Sequence, residues 1–388
     1  MREKAGGNGL RGDFMQTVKA KKKYTLFTGK QLLWLIAPIV IESIFTTSLG
    51  FFDSAMVSWI DPAGNAGNAV SNVDQINNLI IQLFSAFATG GAIITSQYLG
   101  ARDSENANKS ARQMVMLVLL LSVLIAAVCL VLNAPLLDLF FSDVKAESPV
   151  TYQYERDYFY ITAASFPFIG LFNGCAALLR AQRKSMFTMV SAAISCFVNI
   201  GLNALFIWGF NMEVMGAALA TLIARAIPAV YMLILLSNKK YLVHIGIGDL
   251  LLHLVTFRFD GRMIKKILYI AIPSGIESCL FQLGKLLTFR FVNAGCYVQQ
   301  VTIGGTVENV NIQANANSIA NGINNYASVV GSGIGTASLT VIGQAVGAGD
   351  IDQVKYYIKK MFAISFIANA IAVGAFMGTA QWVMYIYE

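Results

Sequence analysis

The sequence predicts an all-α polytopic membrane protein built from two parallel repeats, and three observations carry that reading. Of 388 residues, 56% are hydrophobic and 13% charged, about half the charged share of a soluble domain. Several apolar runs exceed the ~18 residues that mark a bilayer-crossing helix. Lastly, Pro38-Ile39-Val40-Ile41-Glu42-Ser43 returns 235 residues later as Pro273-Ser274-Gly275-Ile276-Glu277-Ser278. Gln97-Tyr98-Leu99-Gly100-Ala101-Arg102-Asp103 likewise returns 247 residues later as Gln344-Ala345-Val346-Gly347-Ala348-Gly349-Asp350. The echoes keep their order, so the halves are homologous.

Apolar runs and polar breaks place spans at 32–60, 68–99, 111–141, 153–180, 185–210, 214–237, 264–293, 310–346 and 355–386. The first is too long for a signal peptide and reads as an uncleaved span. Spans 2 and 8 end at the repeated Gln-x-x-Gly turn; spans 1 and 7 carry the repeated proline. Lys and Arg set the topology: the tail holds eight, and the loops after spans 2, 4, 6 and 8 hold three, three, six and three. The opposite side has only Lys145 and Arg156, while Arg225, Lys285 and Arg290 fall within spans. The excess marks the cytoplasmic side and puts the N-terminus there.

Spans 1 and 7 therefore start on the same side, and the repeats relate by an axis along the membrane normal. The expected organisation is a basic cytoplasmic tail (1–30), a first lobe of spans 1–6 (31–237), a cytoplasmic amphipathic connector (238–263) and a partial second lobe of spans 7–9 (264–388). Nothing echoes spans 4–6, so roughly 85 residues forming the last three helices are expected beyond Glu388. The change in spacing places an insertion, expected to be an external loop, near 295–309.

The net charge of +7 lies between apolar spans, which argues against nucleic-acid binding. Cys129, Cys175, Cys196, Cys279 and Cys296 have no paired spacing, so no disulfide framework or structural metal is expected. His244 and His253 fall in the connector and are too few for a histidine metal site. No obligate protein partner is indicated.

Pro38 with Asp53 in span 1, the Gln-x-x-Gly-Ala-x-Asp turns, Asn199-x-x-x-Asn203 before Phe206-Ile207, and Pro273-Ser274-Gly275-Ile276-Glu277-Ser278 together resemble the multidrug and toxic compound extrusion (MATE) family. The resemblance covers nearly everything from Leu32 onward. It implies two six-helix lobes around a central cleft in the cell membrane. The implied activity is export of organic, often cationic, small molecules driven by inward protons or sodium, with no other cofactor.

Counting from span ends at 1.5 Å per residue puts Asp53, Asn203 and Thr221 about 10 Å below the outer surface. Asn199 lies one turn deeper on the face of Asn203, and Tyr158 enters from span 4, so five polar groups converge as a candidate cation site. Desolvation penalises a bare carboxylate and a cation relieves it, so occupancy of Asp53 by proton or sodium can bias the lobe between two shapes. The competing reading is that Asp53 snorkels to the interface and the asparagines only join helices. Proton-coupled members of the family usually have a carboxylate where Asn203 stands. This chain is thus expected to hold a single titratable group there, which leaves proton and sodium both open. Thr288 matches Asp53 in the second repeat, so coupling is expected in the first lobe.

Glu42 and Glu277 lie near the midplane as candidate contacts for a cationic substrate, with Lys285 placed to neutralise Glu277. Gln75 and Asn78 belong to a polar stripe with Asn72 and Gln82 that either lines the cleft or bonds to a neighbour. Pro38 and Pro273 each free a carbonyl and make either a moving bend or a static kink. Gly347-Ala348-Gly349-Asp350 resembles an intramembrane protease motif, but both copies end one helix and begin another with Asp near the new N-terminus. Gly331, Gly333 and Gly335 lie in an uncharged span and read as close-packing residues, not a phosphate loop. The leading expectation is a secondary exporter and no enzyme; the alternative is a flippase for lipid-linked saccharides, which would need a basic cleft.

Overall fold

The computed structural model describes residues 26–59, 65–248, 250, 256, 259–294, 299–303, 306–310 and 312–384. The tail through residue 25, His253, Cys296 and the side chains of Lys145 and Arg290 lie outside the described residues. Its helices are α1 Gly29–Ser58, α2 Asn65–Gly100, α3 Ser104–Val131, α4 Asn133–Glu147, α5 Pro149–Ala164 and α6 Phe166–Ala181. They continue as α7 Ser185–Asn203, α8 Glu213–Leu236, α9 Gly261–Ala294, α10 Ile312–Gly347 and α11 Ile351–Met384. Among the described residues eight helices are long and apolar enough to cross a bilayer, and the bent pair α5 and α6 makes a ninth span. The protein is an all-helical membrane fold.

Prolines account for the two places where a predicted span breaks. The run 111–141 is interrupted at Leu132 (φ −102°, ψ 27°) between α3 and α4, because Pro135 has no N–H for the carbonyl of Val131. The run 153–180 bends by 46° at Ser165, where Pro167 cannot bond the carbonyl of Ala163. There the Ser165 hydroxyl donates to the carbonyl of Thr162 at 2.5 Å. The insertion near 295–309, expected as a loop, contains an antiparallel hairpin of β1 Gln299–Ile303 and β2 Thr306–Val310, with Gln299 opposite Val310 and Ile303 opposite Thr306. The intervening Gly304-Gly305 is a sequence signal for a hairpin turn.

The main core lies within the first lobe, where Phe84, Met114, Phe159 and Phe166 are fully buried. A second cluster joins α1 to the second repeat through Phe27, Leu32, Ile39, Ile334, Val341 and Tyr357. The two repeats also touch reciprocally. A Cβ at Gly100 would collide with the backbone of Gln344, and one at Gly347 with the backbone of Gln97. Residue i against j and j against i is what a two-fold axis requires of equivalent positions. Gly333 similarly abuts Val40 and Gly331 abuts Asn369, so these glycines are points of close helix approach.

The turns that follow have matching shapes. Arg102 and its repeat partner Gly349 both adopt positive φ, 61° and 73°, a conformation that costs an arginine more than a glycine. Asp103 then caps α3, accepting from the Asn106 amide N–H at 3.0 Å and side chain at 2.6 Å. Those bonds hold its carboxyl below the usual carboxylate range. Asp350 caps α11 in the same way, accepting from the Gln353 backbone at 3.1 Å. Both copies of the sequence motif are helix joints.

In the connector, residues 238–246 run without regular structure. Gln182 accepts from Val243 N and donates to Val243 O, both at 3.0 Å, and the Asn108 side chain does the same for His244 N and Leu242 O. These side chains satisfy backbone groups that a helix would have paired internally, while Val243 and Ile245 bury themselves against the lobe.

Overpacking a close contact costs about 1–3 kcal/mol. Gly100→Ala and Gly347→Ala are therefore each expected to lower the unfolding temperature of the detergent-purified protein. Unchanged melting for both would remove the reciprocal joint.

Candidate cation site

Asp53 lies near the outer end of α1 and is 1% exposed. Its carboxylate accepts from Asn203 Nδ2 at 2.5 Å on one oxygen and from Thr221 Oγ1 at 2.9 Å on the other. Asn199 donates to the Thr221 hydroxyl at 3.3 Å and accepts from Asn203 Nδ2 at 3.3 Å. Tyr158 is fully buried beside Asp53 and Thr221. The structure therefore brings together all five residues that the sequence placed at one depth, and Asp53 does not reach the outer interface.

Local structure explains the convergence. Asn199 and Asn203 share a face of α7 through their four-residue spacing. Beyond Asn203 the chain widens into a single π turn, Ala204–Gly209, an irregularity that recurs at functional sites. Thr221 comes from α8 and Tyr158 from α5. At the outer rim Trp59 stacks on Trp208, with ring centroids 6.2 Å apart, a pairing suited to the interfacial aromatic belt.

Two oxygens in this ring lack a hydrogen-bond partner among the described residues: Asn203 Oδ1 and Tyr158 Oη. A buried acceptor left bare costs about 1–3 kcal/mol. With the Asp53 carboxylate they form a set of hard oxygen donors, which is the chemistry that binds sodium or a proton and excludes soft metals. Among the described residues no group of three or more His, Cys, Asp or Glu side chains is arranged for a metal.

The expectation of a single titratable group requires correction. Asp74, on α2, is an electrostatic neighbour of Asp53, Arg225 and Tyr158 and accepts from Asn77 Nδ2 at 3.2 Å. Arg225 in turn donates to Ser165 Oγ at 2.9 Å, at the α5–α6 bend. Nearby, Glu155 is fully buried and accepts from Asn72 Nδ2 at 2.8 Å. Ala66, Ala69, Val70, Val73, Ile76 and Ile80 recur at helical spacing and are all buried, so the buried face of α2 is marked in the sequence, but Asp74 is half-buried beside that stripe and not on it. The available signal was that any acid inside a span merits attention.

Other sequence candidates are dispersed. Glu42 is buried and satisfied within the first lobe, accepting from Thr188 Oγ1 at 2.5 Å with Arg180 Nη2 at 3.9 Å. Glu277 and Asn78 are exposed, and Gln75 is half-buried. Lys285 meets Asn325 Oδ1 at 3.3 Å and the Phe281 ring at 5.1 Å in place of the expected Glu277. Thr288 bonds back to Gly284 in its own helix, so the repeats do differ chemically at this level. Pro38 and Pro273 both lie inside continuous helices, α1 and α9. The carbonyl freed by Pro38, that of Trp34, and its neighbour Leu35 lie 3.5 and 3.1 Å from Ser185 Oγ. Between α2, α6 and α10 is a small cleft of about 50 Å³ lined by Thr89, Ser96, Asn173, Arg180, Thr336 and Thr340 among others, and no carboxylate among the described residues lines it.

Comparison with known proteins agrees with this architecture. The MatE family profile matches residues 38–205. The chain is 29% identical over 279 residues to the uncharacterized transporter YisQ of Bacillus subtilis (strain 168), covering 70% of this chain and 56% of that protein. It is 28% identical over 211 residues to the multidrug export protein MepA of Staphylococcus haemolyticus (strain JCSC1435), covering 54% of this chain and 45% of that protein. The chain thus spans about half the length of these curated relatives. A solved structure described as the outward-facing conformation of a multidrug resistance MATE family transporter of the MOP superfamily superposes with a TM-score of 0.76 at 24% identity, over 92% of this chain and 74% of that one.

Thr221→Val keeps the volume of the side chain and removes the donor to Asp53 Oδ2. Leaving that oxygen bare costs about 1–3 kcal/mol, expected as a lower unfolding temperature in detergent. An unaltered midpoint would mean the bond contributes nothing to the lobe.

Proposed function

We propose that the chain, whose family-profile match and relatives are those of multidrug and toxic compound extrusion (MATE) transporters, is a member of that family of transporters, and that the whole protein is a secondary active exporter of organic cations. One observation carries the coupling part of this reading: a fully desolvated carboxylate, Asp53, held by two side-chain donors and faced by two unpaired oxygens. A cation entering from outside is stabilised by Asp53, Asn203 Oδ1 and Tyr158 Oη. Its presence removes the cost of the bare charge and shifts the lobe toward the shape that binds it.

The coupling ion is a proton or sodium, taken as co-substrate. Exchange of one such ion for one singly charged organic cation moves no net charge, so the drive is the ion's concentration gradient: a tenfold gradient, about 1.4 kcal/mol, supports a roughly tenfold substrate gradient. Access alternates as the lobes rock about the contacts of Gly100 with Gln344 and Gly347 with Gln97. The Arg183 guanidinium, bonded to Gln344 Oε1 at 3.0 Å and 2.5 Å, ties the α6–α7 turn to that same joint. Pro38 serves as a bend point in α1, with Ser185 holding the adjacent carbonyls in the straight form. The protein resides in the cell membrane, with its N-terminus in the cytoplasm on the side rich in Lys and Arg.

The alternative, a flippase for lipid-linked saccharides, is favoured by one feature: among the described residues Arg180 is the only charged group lining the cleft, where it would meet a pyrophosphate. Against this, Glu42 already stands 3.9 Å from its guanidinium. The two are separated by vesicles containing the protein from its complete coding sequence, assayed with ethidium and with a fluorescent lipid-linked saccharide. Ethidium accumulation against its gradient, without lipid translocation, is expected.

Asp53→Asn is expected to abolish ethidium accumulation driven by either ion gradient while leaving ethidium binding within about twofold. Undiminished uphill transport by this variant would remove the coupling role of Asp53.

A further inference from the structure

Granting the cation-coupled reading above, we propose that Asp74 is the second carboxylate of the site, and that Asp53, Asp74 and Arg225 form one cluster with a net negative charge that a single monovalent cation neutralises.

Three features of the lobe lead to this. The first is placement. Asp74 and Tyr158 each lie nine residues in from the outer ends of α2 and α5, about 13 Å deep at 1.5 Å per residue. Asp53 and Arg225, five and twelve residues in from the corresponding ends of α1 and α8, lie above and below that level, and both are electrostatic neighbours of Asp74. The second is the unpaired Tyr158 hydroxyl, fully buried and flanked by both carboxylates and by Arg225. A buried hydroxyl between two acids and without a partner is a group built to meet a third species. The third is charge. Arg225 is shared, acting on Asp53 and on Asp74, and one guanidinium cannot balance two carboxylates. Asp53 is buried and Asp74 half-buried, so holding both as anions beside one guanidinium leaves one charge without a partner in the lobe. One proton or one sodium ion removes it.

This arrangement also accounts for Asn203. With an amide at that position the lobe still contains two carboxylates, the second supplied from α2 instead of α7. The other titratable groups facing the cluster are Tyr158 on α5 and Cys196 on α7, the latter beside Asp53. Glu155 lies on α5 one turn outward of Tyr158 and is engaged by Asn72. Asp74 acts through charge and not by shape, so the cation requirement follows its charge.

The test uses protein produced from its complete coding sequence. Cation uptake is counted on the purified protein with radioactive sodium and with a pH-indicator dye for protons. Gradient-driven ethidium accumulation is measured in proteoliposomes. Wild type is expected to take up one cation per protein at this site. In Asp74→Asn the remaining Asp53 and Arg225 balance each other, so cation affinity and uphill accumulation each fall at least tenfold while ethidium binding persists; Asp74→Glu restores both. Wild-type coupling in Asp74→Asn, alongside a dead Asp53→Asn, would overturn the role of Asp74 and leave the Asp53 reading intact. Wild-type coupling in both variants would overturn the reading itself. Loss of ethidium binding together with coupling, or failure of folded Asp74→Glu to restore uptake, would make Asp74 a structural residue and end the proposal.

Discussion

A carboxylate placed in a lipid-surrounded helix bundle must find compensation inside the protein, and around Asp53 that requirement organises the first lobe. Its two oxygens draw a side-chain amide from α7 and a hydroxyl from α8. The Asn199 side chain then links those two partners to each other. The result ties three helices from distant parts of the chain at one depth. Breaking a single bond leaves a buried charge short of a partner, which costs far more than the bond itself contributes. On the proposed reading, the same balance would let an incoming cation act as a switch, because it would supply compensation that the protein alone leaves incomplete.

The second organising constraint is symmetry. Duplication placed equivalent glycines on α2 and α10, and a two-fold axis brings each against the backbone of the other repeat. Only residues lacking a Cβ permit that approach. The lobes therefore touch through main chain, which is rigid, while the chemically distinct groups lie elsewhere. Divergence is visible at Thr288, which occupies the position of Asp53 and bonds back within its own helix. One repeat carries the acid Asp53, and the other places a hydroxyl at the equivalent position, so the proposed coupling falls on one lobe.

Buried polarity in the first lobe is not confined to the cation site. Glu42 with Thr188 and Arg180, and Glu155 with Asn72, are each bonded within the lobe. Glu155 keeps one carboxylate oxygen unpaired, as Asn203 and Tyr158 each keep an oxygen beside Asp53, so what sets the Asp53 site apart is that amide, hydroxyl and phenol oxygens from three helices gather around one carboxylate. Glu42 has Thr188 and Arg180 as partners and does not line the cleft between α2, α6 and α10, where hydroxyls and small side chains predominate.

Much of this was legible in the sequence because bilayer physics imprints itself locally. Length and apolarity located nine spans, the bias of Lys and Arg oriented them, and two echoes established parallel repeats. Depth along a helix is a matter of counting, so the order of residues alone gathers Asp53, Asn199, Asn203, Thr221 and Tyr158 at one level. Rotation about a helix axis is different: the apolar stripe of α2 marks its buried face, but which polar residues at the margin of that stripe find partners is decided by neighbouring helices. Only the packed lobe determined that Asn72 is buried, Asp74 half-buried and Asn78 exposed, that Glu42 has partners, and that residues 238–246 run as a pinned strap without helical structure. Depth follows from chain length, which the sequence states; facing follows from which helices lie alongside, and that arises only from long-range packing.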